Sequence, residues 1–168
     1  YGKFTNAGQT CVAPDYVLAA GDDAYAALLE QLPAAITDFY GKNAAKSNDY
    51  GRIINQQHFE RLRGYLTEGR VLHGGRTKSS DRFIEPTVLV DVPDSSPVWE
   101  EEIFGPILPV KKVDSFAAAL AYLKERPEPL AAYLFSDQHR QQRSFEEQIR
   151  AGAIVHNVAI AHLSVQEL

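Results

Sequence analysis

The stretch Ile107-Leu108-Pro109-Val110-Lys111-Lys112-Val113-Asp114-Ser115-Phe116 decides the fold class of this chain. Its first seven residues predict a strand, and Asp114 or Ser115 can cap a helix that follows directly. Two further strands are predicted over residues 130–135 and 153–156, with a polar helix between them. Strands that alternate with helices usually form parallel sheets. The sequence therefore predicts an α/β fold with a mostly parallel sheet flanked by helices.

The first half of the chain shows the same alternation. Residues 16–20 predict a short buried strand, and Asp22 or Asp23 is expected to cap the helix after it. Pro33 interrupts the apolar spacing of that helix, which predicts a kink or two abutting helices. Residues 74–82, rich in glycine, serine and charged side chains, are expected to form a loop.

Composition excludes several classes of function. The net charge of −5 comes from interspersed acidic and basic residues, so no basic stripe indicates a nucleic acid partner. No apolar run reaches the roughly 18 residues that a membrane span needs. The five histidines lack the spacing of metal ligands, so no metal is expected. A single cysteine rules out an internal disulfide and favours a reducing, cytoplasmic location.

That cysteine, Cys11, ends the segment Phe4-Thr5-Asn6-Ala7-Gly8-Gln9-Thr10-Cys11. A thiol is the strongest nucleophile among ordinary side chains, and Gly8 permits turn conformations that other residues avoid. A lone cysteine is nevertheless most often a small core residue. Taken alone, this segment leaves both a core role and a catalytic role open.

A second segment, Glu100-Glu101-Glu102-Ile103-Phe104-Gly105-Pro106, runs into the strand at 107–113. The pattern Phe-x-Asn-x-Gly-Gln-x-Cys, followed about ninety residues later by Glu-x-Phe-Gly-Pro, resembles the aldehyde dehydrogenase superfamily. Residues 2–4 with 9–16, 39–41 and 49–54 are similar to its class-three branch. The resemblance covers nearly the whole chain in the expected order.

The resemblance implies a chemistry for specific residues. It makes Cys11 the nucleophile that attacks an aldehyde to form a thiohemiacetal, which becomes a thioester as a hydride passes to NAD or NADP. The Cys11 N–H is a candidate donor to the oxyanion. Glu102 occupies the family position that binds the nicotinamide ribose, and Phe104 the position that packs near the nicotinamide. The general base and the second oxyanion donor are expected outside this chain.

The resemblance also implies a domain organisation. Residues 1–168 correspond to the thiol-bearing catalytic domain, and the dinucleotide-binding domain and the C-terminal arm are expected to be absent from this chain. The isolated chain is therefore expected to be inactive and to bind NAD weakly or not at all. In the full-length protein, the resemblance implies a homodimer that acts on a small-molecule aldehyde.

Two other functions stay open at this stage. A thiol-dependent acyl transferase or esterase would need a histidine beside Cys11, which a sequence cannot reveal. A non-catalytic assembly module would use free sheet edges to pair with another copy. Separately, His156 and Asn157 end the last predicted strand, where the family lines its substrate entrance, although Val158 departs from the Asn-Asp pair that class-three relatives often carry.

Overall fold

The computed structural model describes residues 1–164 and places a four-stranded sheet at the centre of the molecule. The strands are, in chain order, β1 (Val17–Ala20), β2 (Arg70–His73), β3 (Thr77–Lys78), β4 (Phe83–Ile84), β5 (Thr87–Val90), β6 (Ile107–Val113), β7 (Ala131–Leu134) and β8 (Ala153–His156). The helices are α1 (Asp22–Tyr40), α2 (Gln56–Tyr65), α3 (Phe116–Lys124) and α4 (His139–Gln148).

The central sheet has the strand order β1-β6-β5-β2. Both β1 and β5 run parallel to β6, with Val17 opposite Val110 and Thr87 opposite Ile107, whereas the edge strand β2 is antiparallel to β5. β7 and β8 form a separate parallel pair, and β3 and β4 form a short antiparallel one. The predicted α/β fold with a mostly parallel sheet is confirmed.

Helix ends follow capping chemistry where a short polar side chain is available. Ser115 caps α3 by accepting a hydrogen bond from the Ala118 N–H, as predicted. The expected aspartate cap of α1 is wrong, because Gly21 occupies the cap position. Asp22 instead pairs with Lys112 on β6 at 2.8 Å. The helix also runs without interruption through Pro33, so the expected division into two helices is wrong.

The chain has two apolar cores. The larger one surrounds β5, whose four residues are all fully buried, and includes Phe59 and Leu62 from α2. The smaller one joins α3, β7 and α4 through Leu120, Ala132 and Phe145.

The predicted loop over 74–82 is partly wrong, because it contains β3 and a 3-10 turn. Within residues 1–164, no helix combines the length and the apolar character that crossing a lipid bilayer requires.

Candidate active site

Cys11 lies exposed at the end of a loop with an unusual backbone. The three consecutive residues Asn6, Ala7 and Gly8 have φ angles of 53°, 52° and 74°, all in the left-handed region. For alanine this conformation costs about 1–2 kcal/mol. Such strain concentrates at functional sites, where surrounding structure holds it in place.

The Gln9 side chain holds this loop to the neighbouring segment 52–54. Its amide nitrogen donates to the carbonyl oxygens of Asn6 at 3.1 Å and Arg52 at 3.0 Å, and its amide oxygen accepts the Ile54 N–H at 3.0 Å. Asn6 Nδ2 in turn donates to the Gln9 carbonyl at 3.0 Å. The side-chain amides of Asn6 and Gln9 therefore stabilise the conformation of the loop that leads to Cys11.

The loop that carries Cys11 and the loop that carries Glu102 are in direct contact. A Cβ atom placed on Gly8 would lie 2.2 Å from the Gly105 carbonyl oxygen, so only glycine permits this approach. The Asp15 carboxylate accepts the Ile103 N–H at 2.9 Å. Two sequence segments that are far apart in the chain thus form one unit in the fold.

The three consecutive glutamates have different environments. Glu100 accepts a hydrogen bond from Arg126 at 2.8 Å, and Glu101 accepts one from the Tyr65 hydroxyl at 2.5 Å. Burial and this bond to Glu101 raise the pKa of Tyr65. The Glu102 side chain is exposed, and no hydrogen bond or ion pair engages its carboxylate within residues 1–164. Its carboxylate oxygens are therefore available to a ligand.

Side chains of helix α2 hydrogen-bond to the backbone of the loop that carries Glu102. His58 Nε2 donates to the Phe104 carbonyl oxygen at 2.7 Å, and Arg61 donates to the carbonyls of Glu102 at 3.2 Å and Ile103 at 2.5 Å. Arg61 also approaches His58 Nδ1 at 3.3 Å, which fits the Nε2–H tautomer. Phe104 itself has a φ of 50°, so this loop is also held in a left-handed conformation.

Lys3 lies beneath both loops and is only 5% exposed. Its Nζ atom is 4.0 Å from the nearest Asp15 carboxylate oxygen and has no hydrogen-bond partner among the described residues. Burial lowers the pKa of Lys3 to about 8, against the opposing attraction of Asp15 and Glu102. A titratable amine is therefore enclosed at the junction of the two loops.

Tyr133 on β7 hydrogen-bonds to the backbone next to Cys11. Its hydroxyl donates to the carbonyl oxygen of Val12, the residue after Cys11, at 2.7 Å. Burial raises the pKa of Tyr133, the Ile160 N–H opposes this shift, and the nearby Cys11 adds to it. The tyrosine links the cysteine loop to the smaller core.

The sequence indicated Cys11, Glu102 and Phe104 but missed the residues that hold them. These are Lys3, Asp15, His58, Arg61 and Tyr133. A signal existed on α2, where His58, Arg61 and Tyr65 share one helix face at spacings of three and four. The others contact the site only through pairings that bring distant segments together. Among the residues that the structure describes, no three His, Cys, Asp or Glu side chains cluster as metal ligands would.

Comparison with known proteins gives consistent matches. The chain is 43% identical over its full length to the dimeric NADP-preferring aldehyde dehydrogenase of Rattus norvegicus, and spans 37% of that protein. It is 45% identical over 99% of its length to aldehyde dehydrogenase family 3 member B1 of Homo sapiens, and spans 35% of it. The chain thus covers little more than a third of the length of these relatives.

Solved structures agree with the sequence comparisons. The substrate-bound structure of Staphylococcus aureus AldH superimposes with a TM-score of 0.95 at 40% identity, over 99% of this chain and 37% of that one. An NAD-dependent aldehyde dehydrogenase from Sinorhizobium meliloti matches with a TM-score of 0.82 at 27% identity, over 95% of this chain and 33% of that one. The model of the aldehyde dehydrogenase family matches residues 1–166, and this chain belongs to that family.

Proposed function

We propose that this chain is the thiol-bearing catalytic portion of an NAD(P)-dependent aldehyde dehydrogenase that oxidises an aldehyde to a carboxylic acid. One observation carries the proposal. The exposed thiol of Cys11 lies on a loop with a strained backbone, and this loop packs closely against the loop that carries Glu102. The Glu102 carboxylate makes no hydrogen bond or ion pair with residues 1–164. The names of the relatives support the same activity.

In the proposed reaction, the Cys11 thiolate attacks the carbonyl carbon of the aldehyde. The C–S bond forms as the carbonyl electron pair moves to oxygen, which gives a thiohemiacetal oxyanion. The Cys11 N–H makes no hydrogen bond to a backbone carbonyl within residues 1–164, which leaves it available to donate to that oxyanion. Losing one such donor typically costs about 3–4 kcal/mol of transition-state stabilisation.

The residues on the Glu102 loop suit a nicotinamide cofactor. A ribose offers two adjacent hydroxyl donors, and the Glu102 carboxylate can accept from both. Phe104, half-buried and fixed by His58, would limit movement of the nicotinamide end. When bound there, the nicotinamide would supply the acceptor for the hydride that leaves the substrate carbon. Water then cleaves the resulting thioester and returns the Cys11 thiol, with a general base that we expect outside this chain.

We also propose that a dinucleotide-binding domain and a C-terminal arm complete the protein, as a homodimer. One relative is named dimeric, and the chain matches only part of each relative's length.

Because no Gly-x-Gly-x-x-Gly fingerprint occurs in this chain, Glu102 and Phe104 alone should bind NAD weakly or not at all. A calorimetric titration that gives micromolar affinity for the isolated chain would contradict this division. The cytoplasmic location stays a prediction.

The test of the function uses the full-length polypeptide that carries this chain. Purified protein should reduce NAD or NADP when an aliphatic or aromatic aldehyde is added, and Cys11→Ala should abolish the reaction. In the isolated chain, p-nitrophenyl acetate should acetylate Cys11, as read by intact mass. Wild-type activity that survives Cys11→Ala would refute the role of the thiol.

A thiol-dependent acyl transferase or esterase ranks second. The described residues contain no hydrogen bond between a histidine and Cys11, although the His162 ring lies near Tyr133, tilted by 47° with 6.1 Å between the ring centroids. If acyl transfer without any nicotinamide dependence is the main activity, His162→Gln should slow the acetylation of Cys11. An assembly module would instead retain its whole function in the Cys11→Ala protein.

A further inference from the structure

Lys3 is the buried charge that the proposed reaction does not use. Glu85 is likewise buried, but its carboxylate is satisfied by Arg76. Lys3 Nζ has no hydrogen-bond partner among the described residues. A buried ammonium without close partners is costly, by several kcal/mol in typical cases. The fold retains this amine at the meeting point of the two loops that carry Cys11 and Glu102.

Two charged groups face the Lys3 amine. Asp15 comes from the loop between Cys11 and β1, with its Oδ1 atom 4.0 Å from Nζ. Glu102 comes from the loop before β6, and the attraction of its carboxylate favours the protonated amine, less than that of Asp15 does. Both attractions oppose burial, which is the larger effect and lowers the pKa to about 8.

Asp15 connects the amine to the Glu102 loop. The same oxygen, Oδ1, lies 4.0 Å from Lys3 Nζ and accepts the Ile103 N–H at 2.9 Å. Ile103 directly follows Glu102, so Asp15 links the ammonium to the backbone of that loop. Lys3 itself lies in the segment that leads into the strained residues 6–8 of the cysteine loop.

We propose that Lys3 is a positioning residue whose buried ammonium, next to the Asp15 carboxylate that accepts the Ile103 N–H, holds the Glu102 loop against the Cys11 loop and so sets Glu102 for the cofactor ribose. This inference rests on the proposed function of Glu102. While the amine is protonated, it attracts the carboxylates of Asp15 and Glu102 across the junction of the loops. When the amine loses its proton, that attraction disappears and the Glu102 loop is held less firmly.

The pH dependence has a definite sign. With a pKa of about 8, Lys3 is protonated at neutral pH and neutral in mildly alkaline solution. The KM for NAD or NADP should therefore rise as the pH increases through about 8. The kcat should change much less, because Lys3 acts through Glu102 and does not contact the reacting carbon.

The enzymatic test uses Lys3→Met in the full-length protein, because methionine matches the four-atom apolar stem of lysine and removes the charge. We expect the KM for the cofactor at pH 7 to rise about tenfold, as loss of one partly buried charge interaction implies. The rise in KM above pH 8 should also vanish. Lys46→Met, which removes an exposed lysine, is the control and should match wild type. Lys3→Met with an unchanged KM and an unchanged pH profile overturns the proposal.

A second measurement on the isolated chain does not depend on activity. The ¹³Cε resonance of Lys3, followed by NMR against pH, should show titration near 8, below the ordinary lysine value of 10.5. Glu102→Gln should lower the pKa of Lys3 further. If Lys3 titrates near 10.5, or if Glu102→Gln has no effect, the inference fails. If the titration is as expected but no aldehyde is oxidised, the proposed function fails instead.

Discussion

At the scale of the residue, Lys3 shows how a site can hold a group that weakens the fold. Its pKa is about 8 in the folded chain and 10.5 when unperturbed. Below pH 8 both states carry the proton, so the folded state bears the full cost of the buried charge. Between pH 8 and 10.5 the folded state releases the proton first, and stability rises with pH. Lys3 should therefore destabilise the chain most at neutral and acidic pH.

Lys3→Met is thus expected to stabilise the isolated chain at pH 7, by about 3 kcal/mol from the depressed pKa. The gain should shrink as the pH rises from 8 and vanish above 10.5. Urea unfolding of wild type and variant at pH 7 and at high pH measures the stability gain under each condition, with Lys46→Met as the control. A variant that is less stable than wild type at pH 7 would show that the ammonium has stronger partners than Asp15 and Glu102.

Tyr133 offers a second test at this scale. Tyr133→Phe removes the hydroxyl that donates to the Val12 carbonyl and leaves a partly buried acceptor without that bond. We expect a loss of about 1 kcal/mol in the free energy of unfolding, together with faster amide exchange around Cys11. Tyr25→Phe is the matched control, because the hydroxyl of this half-buried tyrosine makes no hydrogen bond within residues 1–164. Equal effects of the two substitutions would contradict the role of Tyr133.

At the scale of the element, the site is a junction between two loops that no single helix or strand supplies. Gly8 and Gly41 both have a φ of +74°, but a Cβ on Gly8 would meet the Gly105 carbonyl, whereas Gly41 has open space around it. Both variants therefore place alanine at a positive φ, and only Gly8→Ala adds a clash with another loop. A difference between their alanine variants measures how tightly the two loops fit.

Gly41→Ala should cost about 1–3 kcal/mol, because its φ of 74° and ψ of 175° lie in a region that is essentially confined to glycine. Gly8→Ala should cost about 1–3 kcal/mol more, because the two loops must separate to admit the methyl group. Denaturant unfolding gives both numbers. In the full-length protein, Gly8→Ala should also raise the KM for the cofactor, since Glu102 moves with Gly105. Equal stability losses in the two variants would mean that the loops are not in close contact.

The elements themselves could largely be predicted from the sequence. Apolar runs and capping residues located β6, α3, β7 and β8 to within a few residues, because these signals are local. The α1 cap was missed because Asp22 pairs with Lys112 on a strand far along the chain. Pro33 did not divide α1, since packing of the helix against the core outweighs the local preference of one residue.

The site was predictable only in part. Cys11, Glu102 and Phe104 were proposed because two motifs resemble a known family, and their roles stay predictions. His58 and Arg61 share a helix face that the sequence displays, but nothing local shows that this face meets the carbonyls of residues 102–104. The burial of Lys3 depends on the contact between two distant loops, which only the folded chain reveals.

At the scale of the whole molecule, the two cores should differ in stability. β5 is completely buried between β6 and β2, whereas β7 and β8 form an isolated pair with largely half-buried residues. Native-state hydrogen exchange should therefore show the slowest amides in β5 and β6 and measurably faster ones in β7 and β8. Equal protection of all four strands would show that the chain unfolds as a single cooperative unit.

β1 meets its neighbour only late in synthesis, because β6 is translated about ninety residues after it. Val17 cannot pair with Val110, and Asp15 cannot accept the Ile103 N–H, until the later segment has been synthesised. On the ribosome, the Cys11 loop therefore emerges long before the Glu102 loop that packs against it, and β1 lacks its partner strand in the meantime. Premature association of nascent chains should be most frequent in that interval.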